Sequence, residues 1–312
     1  MDEQARLVVF CGKGGVGKTT LCLADGIRNA SAGCRVLVVT SHPLEELAVT
    51  ISLDGLAAEF PTAAQNLFVV HLDAKDLLAE VVRANFPMAV LATAILESTL
   101  YHNLIEVAPG LKEFYFLVRL QQLAERRGKS GGGAGSREFD LLLWDAPASG
   151  HFLGTLRAAR GFETYLQGPL AVAGAELARF FSQRENMALL PVTTLEEMAI
   201  TETAEMCQAL RAEFGMAPAR VLMNMVSPAV GASPEELAKL RQRAATADGA
   251  GAGHAALRFA VGRGLLEAER AQGLPAELGA PSLSIQRARH WSSPIGLLAT
   301  LGEPLAALPE GL

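Results

Sequence analysis

The pattern best suited to chemistry lies near the start of the chain, directly after a short apolar run. Residues 12–20 read GKGGVGKTT, fit the pattern GxxxxGK[ST] and lead into a helix-like segment at 21–29. Glycines let successive backbone N–H groups point at phosphate oxygens, and a helix start adds partial positive charge. In such a loop Lys18 reaches the β- and γ-phosphates, and the Thr19 hydroxyl ligates Mg²⁺. The sequence therefore predicts a nucleoside triphosphate site formed by Gly12, Lys13, Gly14, Gly15, Val16, Gly17, Lys18, Thr19 and Thr20.

A carboxylate suited to the same site follows the apolar run 139–144. Asp145 comes directly after this predicted strand, and Pro147 and Gly150 follow it closely. A carboxylate at the end of a buried strand is placed to hold the Mg²⁺ shell, and the proline and glycine allow a backbone that switches with the γ-phosphate. Asp145 is therefore predicted to act with Thr19 as a metal ligand.

The first lysine of the loop, Lys13, resembles the signature of the deviant P-loop branch. That branch holds the partition ATPases, the MinD-like proteins, nitrogenase iron protein and the arsenite-pump ATPases. In these families the lysine reaches across a dimer interface and neutralises charge on the partner's nucleotide. The resemblance implies a face-to-face dimer with Lys13 and Lys18 as catalytic lysines, and a solvated loop lysine is the alternative for Lys13.

Within that branch the chain resembles the ArsA-type family, which includes the arsenite-pump ATPase and the ATPase that targets tail-anchored membrane proteins. Residues 145–151, DAPASGH, are similar to its switch II motif DTAPTGH. Residues 109–113 look like its PGIDE helix start, and Glu197 with Glu202 and Thr203 resembles its E…ET helix. Asn224 matches the asparagine that reads the adenine edge, although it could simply cap a strand end. The resemblance extends from about residue 8 to 226 and implies ATP and Mg²⁺ as cofactors.

The match fails at switch I. The family motif is S/T-D-P-A-H-S-L, whereas residues 41–47 here read SHPLEEL, so His42 replaces the aspartate that orients the attacking water. Either His42 or Glu45 supports slow hydrolysis, since a neutral imidazole can accept a proton near pH 7, or hydrolysis at this site is poor or absent. We therefore expect a heterodimer with a sister chain that retains the aspartate.

Four classes of function stay open at this point. The first is an ArsA-type subunit that couples its Mg²⁺-ATP state at a dimer interface to binding of a partner or a hydrophobic client protein. The second is a catalytically inactive pseudo-ATPase scaffold. An arsenite-efflux subunit is not favoured because the four cysteines are scattered, and a MinD-like positioning ATPase is not favoured because residues 301–312 are not basic.

Apolar runs alternating with helix-like segments predict an α/β fold with a doubly wound, mostly parallel sheet. The predicted strands are residues 7–11, 36–40, 67–72, 139–144, 188–192 and 221–226. Helices are expected at 77–84, 89–106 and 111–125, and at 152–186 with interruptions at Gly161, Gly168 and Gly174. We interpret residues 1–312 as one P-loop domain whose inserted helical subdomain comes from about 74–127 and 152–186. Flexible loops are predicted at about 128–137 and 246–255.

Amino-acid composition and net charge limit the classes of partner that the chain can bind. Half of the residues are apolar and 19% are charged, which excludes a disordered chain, and the net charge of −6 argues against nucleic-acid binding. No window is long and apolar enough for a membrane span, so we expect at most peripheral membrane association. The acidic start is not a signal peptide, and four cysteines without a CxxC pair fit a reducing cytoplasm.

Overall fold

The computed structural model describes residues 6–40, 66–85, 98, 110–125, 138–165, 169–183, 186–227, 233–246, 252–288 and 294–308. Its strands are β1 (Arg6–Gly12), β2 (Val36–Thr40), β3 (Leu67–His71), β4 (Leu141–Ala148), β5 (Met187–Thr193), β6 (Val221–Val226) and β7 (Ser282–Gln286). Its helices are α1 (Lys18–Ser31), α2 (Ala74–Asn85), α3 (Leu111–Glu125), α4 (Ser149–Tyr165), α5 (Pro169–Ser182), α6 (Glu197–Phe214), α7 (Pro234–Thr246), α8 (Ala252–Leu278) and α9 (Pro294–Leu305).

The described strands form one seven-stranded sheet in the order β3-β2-β4-β1-β5-β6-β7, and their pairings are parallel. Parallel strands end at the same edge, so the carboxyl ends of β1, β2, β5 and β6 lie there together. This confirms the predicted α/β fold with a parallel sheet. It also places the phosphate loop, which leaves β1 in the middle of the sheet, among the ends of its neighbours.

Both faces of the sheet are covered, which explains the uninterrupted apolar strands. Leu7 and Val9 of β1 pack into a core with residues of α3, α4 and α5, whereas Val8 and Phe10 pack into a second core with residues of α1 and α9. A strand buried on both faces gains nothing from alternation, and β2 is accordingly buried at every position. A third, smaller core joins β6 to α6 and α8.

One aromatic contact connects β4 to two helices. Trp144 is fully buried, and its ring lies 5.4 Å from the ring of Phe116 on α3 and 5.4 Å from that of Phe152 on α4 (centroid distances). Because Trp144 directly precedes Asp145, the same segment of β4 carries the Asp145 carboxylate and packs against α3 and α4.

Several sequence predictions need correction. β4 continues to Ala148, so Asp145 lies inside the strand rather than after it, and α4 and α5 run through Gly161 and Gly174 without interruption. The loop expected at about 246–255 is shorter, since α7 ends at Thr246 and α8 begins at Ala252. β7 was not predicted at all. The helix expected at 89–106 and the loop at 128–137 lie outside the described residues apart from Ser98, and the subdomain boundaries stay a prediction.

None of the helices described here is long and apolar enough to cross a membrane.

Candidate functional site

The loop after β1 has a shape that only glycine permits at two positions. Gly12 has φ of 141°, and a Cβ built there would lie 2.3 Å from the backbone oxygen of Val192 on β5. Gly17 has φ of 93°, and its Cβ would lie 2.3 Å from Nδ2 of Asn224. The predicted glycines are therefore required because the backbone turns tightly between two neighbouring strands.

The other residues of the loop differ in exposure. Gly14 and Gly15 are exposed, Val16 is buried in the core, and Thr20 is half-buried in the first turn of α1. Exposed glycines at the tip and a buried valine at the base leave the concave side of the loop open. This arrangement suits a ligand that approaches as closely as a phosphate group must.

Lys18 lies at the start of α1 and is only 8% exposed. Its Nζ donates a hydrogen bond of 2.8 Å to the carbonyl oxygen of Lys13 across the loop. Burial lowers the pKa of Lys18, while the nearby negative charge of Asp145 opposes that shift. A buried ammonium group in a glycine-rich loop at a helix start is a strong site for a polyanion.

Beside this ammonium lies an oxygen-rich cluster on the β4 side of the loop. Asp145 is 1% exposed, and its Oδ2 accepts hydrogen bonds from the hydroxyl groups of Thr19 at 2.8 Å and Thr40 at 3.2 Å. A buried carboxylate with hydroxyl oxygens matches the oxygen ligands that Mg²⁺ prefers. In the described part of the chain there is no group of three or more His, Cys, Asp or Glu that could hold a metal ion.

Thr40 is a site residue that the sequence analysis missed. It is the last residue of β2 and lies in register with Asp145 on β4. Its signal is the switch from four valine or leucine residues to a hydroxyl residue at the carboxyl end of the strand, VLVVT. Because β2 pairs in parallel with β4, the Thr40 hydroxyl group lies beside the Asp145 carboxylate.

Lys13 contacts an acidic residue of its own chain. Its Nζ lies 2.9 Å from Oε1 of Glu202 on α6, and both side chains are about one third exposed, at 31% and 33%. An ion pair at this exposure contributes about 0–1 kcal/mol. The contact therefore holds Lys13 weakly against α6 and leaves it able to exchange partners.

Asn224 joins β6 to the loop. Its Nδ2 donates a 2.8 Å hydrogen bond to the carbonyl oxygen of Val16, and its Oδ1 accepts one of 2.9 Å from the backbone N–H of Met225. Met225 is a non-glycine residue with φ of 56°, and the pairing of β6 with β7 shifts register between Met223 and Val226. The amide of Asn224 thus fixes both the loop and the irregular end of β6.

A cavity of about 480 Å³ opens beside this end of β6. The ends of β5 and β6 contribute Thr194, Leu195 and Met225 to its wall, α8 contributes Phe259 and Leu266, and Arg287 follows β7. Met225, Phe259 and Leu266 are 38%, 73% and 47% exposed. Met225 lies between the cavity and the loop, since its Cε would be 3.6 Å from a Cβ built at Gly17.

The structure brings together Lys13, Lys18, Thr19, Asp145 and Asn224 at one edge of the sheet, as the sequence predicts. Of the residues around the motifs, His151 is exposed in the first turn of α4. His42, with the whole segment 41–47, lies outside the described residues. The roles of these residues stay predictions.

Three of the four cysteines are buried and one is half-buried. Burial raises the pKa of Cys11 and Cys22, and it raises the pKa of Cys207 to about 11. Cys34 is partly exposed in the turn between α1 and β2. Since the thiolate is the reactive form, reactivity should be confined to Cys34 in the folded protein.

A thiol titration checks this expectation. Ellman's reagent should modify Cys34 at least about tenfold faster than the other three thiols, which become reactive on denaturation. Cys34→Ser should remove the fast phase and leave the remaining phases unchanged. Two fast thiols in the native protein would contradict the burial described for β1, α1 and α6.

Comparison with known proteins identifies the family. The family model ArsA_ATPase, described as anion-transporting ATPase, matches residues 5–175, which is more than half of the chain. The chain belongs to the ArsA ATPase family. The match includes the loop after β1 and Asp145, whereas Asn224 and the cavity beside it lie beyond its end.

Similar proteins with ATPase names support the same family. The chain is 28% identical over 168 residues to a protein from Aquifex aeolicus named as an arsenical pump-driving ATPase, covering 52% of each. It is 23% identical over 253 residues to the ATPase BagA of Mycobacterium tuberculosis, covering 80% of this chain and 73% of that protein. It is 24% identical over 236 residues to the arsenical pump-driving ATPase of Escherichia coli, covering 70% of this chain and 39% of that protein. The chain thus matches about half of the length of the Aquifex relative.

Proposed function

We propose that this chain is an ArsA-type subunit that binds Mg²⁺-ATP at a dimer interface and couples the nucleotide state to the binding of a partner protein. The single observation that carries the proposal is the cluster of buried Lys18, half-buried Thr19 and buried Asp145 beside the glycine loop. A buried cation beside hydroxyl and carboxylate oxygens matches the needs of a triphosphate and its metal ion together.

The residues divide the work by chemistry. The backbone of residues 12–19 receives the phosphates, and Lys18 exchanges its bond to the Lys13 carbonyl for contacts with the β- and γ-phosphates. Thr19 and Asp145 would hold Mg²⁺, which would neutralise charge on the phosphates when bound. Thr40 orients Asp145 through its hydroxyl group.

Lys13 is proposed to act across the dimer interface. In the single chain it pairs with Glu202 at a partly exposed position, so a phosphate of a facing subunit competes with a weak contact. Its neighbour Lys18 is buried and works within its own site. Two lysines of one loop thereby serve two different nucleotides.

Hydrolysis of ATP is the step that depends on the residue at position 42. The switch I aspartate of the family is replaced by His42, which supplies no fixed negative charge to orient water. We therefore propose a heterodimer with a sister chain that retains the aspartate. The same substitution favours, as the second candidate, a pseudo-ATPase scaffold that binds nucleotide without turnover.

A hydrophobic client protein would need exposed apolar side chains on the expected helical subdomain. Within the described residues of the expected helical subdomain, Phe114, Phe116 and Leu117 of α3 are buried in the core. Val172 on α5 is the one large apolar side chain there that is exposed among those described. The partner is therefore proposed only as a protein that responds to the nucleotide state.

Binding and turnover of the purified chain test the proposal. Calorimetric titration should show Mg²⁺-ATP binding, and single-turnover hydrolysis should rise at least about tenfold in His42→Asp, because a carboxylate restores the group that orients water. Asp145→Asn in the His42→Asp background is the matched control and should remove the gain by weakening the metal site.

Each possible result tests a different part of the proposal. Absence of Mg²⁺-ATP binding in the chain would reject the nucleotide site itself. A homodimer by sedimentation that hydrolyses ATP with the same rate before and after His42→Asp would reject the heterodimer. No turnover in either form, with binding intact, would favour the scaffold.

A further inference from the structure

We infer that a second cavity, between β4 and the beginnings of α3 and α4, binds a small zwitterion of the size of a free α-amino acid. The indole N–H of Trp144 and the side chains of Lys112 and Glu113 would recognise it, and all three residues line the cavity. This ligand is not the nucleotide, so its binding does not depend on the proposed function.

The cavity lies on the opposite face of β4 from the candidate nucleotide site. Successive side chains of a strand point to opposite faces of the sheet. Trp144 belongs to the core that includes residues of α3, α4 and α5, whereas the Asp145 carboxylate accepts a hydrogen bond from Thr19 on α1. A ligand beside Trp144 therefore occupies a different site from Mg²⁺-ATP.

The indole N–H of Trp144 is a donor without an acceptor. Trp144 is fully buried and lines the cavity, yet in the described part of the chain its Nε1 has no hydrogen-bond partner. Buried polar groups are nearly always hydrogen-bonded, because leaving one unpaired destabilises the folded protein. An oxygen atom of a ligand in this cavity would supply the missing acceptor.

Two charged side chains in the first turn of α3 are also unused. Lys112 and Glu113 are half-buried, and their side chains make no hydrogen bond or ion pair with any residue that the structure describes. A ligand carboxylate would pair with Lys112 and Trp144, and a ligand ammonium group with Glu113. A simple carboxylate would be repelled by Glu113 and by Asp73, which also lines the cavity, and a simple amine would be repelled by Lys112. The charges therefore favour a ligand that carries both signs.

The rest of the wall limits the size and shape of this ligand. The cavity has a volume of about 200 Å³, smaller than the roughly 300–1,000 Å³ of sites for drug-sized ligands. Leu72, Phe116 and Pro147 give it an apolar part that suits a small aliphatic side chain. Buried Thr155 adds a hydroxyl oxygen that can accept a hydrogen bond, since its own hydrogen is donated to the His151 carbonyl at 2.9 Å.

L-Valine and two truncated analogues test the inference. 3-Methylbutanoate is valine without the amino group, and 2-methylpropylamine is valine without the carboxylate. Full-length protein labelled with ¹⁵N at its tryptophan indoles is titrated with each compound without nucleotide, and Trp291→Phe removes the signal of the other tryptophan. Valine should shift the Trp144 indole N–H signal downfield, because the N–H gains an acceptor. Each analogue should bind at least about tenfold more weakly than valine, because it lacks one charged contact.

Single substitutions assign the two charges. Lys112→Met should weaken valine binding about tenfold without weakening 2-methylpropylamine binding, because that compound has no carboxylate. Glu113→Gln should weaken valine binding about tenfold without weakening 3-methylbutanoate binding, because that compound has no ammonium group. Lys239→Met is the matched control for Lys112→Met, since Lys239 is an exposed lysine on α7 and does not line the cavity.

Trp144→Phe tests the indole N–H itself. The variant keeps an aromatic ring beside Phe116 and Phe152 and removes the unpaired donor. Calorimetric titration should show valine binding weakened about tenfold, and thermal unfolding of the same sample shows that the variant is folded. A folded variant with unchanged valine affinity would contradict the role of the N–H.

The remaining outcomes are distinct. If valine and the smaller glycine and L-alanine all leave the Trp144 signal unchanged at up to about 10 mM, the cavity is not a zwitterion site. Equal affinity for valine and its two analogues would overturn the inference as well. A chain that binds valine but not Mg²⁺-ATP would reject the proposed function and leave the zwitterion site standing.

Discussion

Replacing Lys18 by methionine should weaken Mg²⁺-ATP binding about a hundredfold, because it removes a buried charge from the phosphate site. Methionine keeps much of the length and apolar volume of the lysine stem. The free energy of unfolding should fall little, since the burial that lowers the pKa of Lys18 offsets what the ammonium gains from its bond to the Lys13 carbonyl and from the charge of Asp145. Calorimetric titration with ATP and thermal unfolding of the same sample measure both quantities.

Lys13→Met is the matched control in the same loop. Lys13 is partly exposed and contacts Glu202, so a single subunit should keep its ATP affinity within about threefold of the wild type. If Lys13 acts on a facing subunit, the variant should instead reduce ATP-dependent dimer formation. Equal loss of affinity in the two variants would contradict the separate roles proposed for the two lysines.

The second large effect concerns Gly12, whose replacement by alanine should lower the free energy of unfolding by about 3–5 kcal/mol. A Cβ there would lie 2.3 Å from the backbone oxygen of Val192, and φ of 141° is unfavourable for any side chain. The thermal midpoint should fall by roughly 10 °C. Urea unfolding followed by circular dichroism gives the free energy.

Gly14→Ala is the matched control for Gly12→Ala. A Cβ at Gly14 has no atom within 4 Å, so the variant should unfold within about 0.5 kcal/mol of the wild type. The two variants carry the same substitution, one at the buried end of β1 and the other at the exposed tip of the loop. A Gly12→Ala protein as stable as Gly14→Ala would show that the contact between β1 and β5 relaxes without cost.

Much of the site was predictable because each signal is local. The glycine loop must follow a strand and start a helix, and both neighbours are visible in LVVFC before it and TTLCLA after it. Asp145 was predictable because a lone carboxylate interrupts a buried apolar run. Thr40 was missed because its role depends on register with Asp145 across two strands, which no local pattern contains.

The wrong sequence predictions about the fold also arise because the sequence pattern does not contain the tertiary contacts. β7 was missed because its sequence, SLSIQ, is short and half polar. It is an edge strand, so little of its surface is buried, and Ile285 is the one buried residue among its five. Gly161 and Gly174 were expected to interrupt a helix, but α4 and α5 pack against each other along their length. Packing of this kind outweighs the helix propensity of single glycines, which amounts to about 1 kcal/mol each.

The tryptophan beside Asp145 connects the candidate site to two helices on one face of the sheet. Trp144 is joined by one peptide bond to Asp145, and its indole packs against Phe116 of α3 and Phe152 of α4. We therefore expect a ligand that displaces Asp145 to displace Trp144 and, through it, the packing of these two helices.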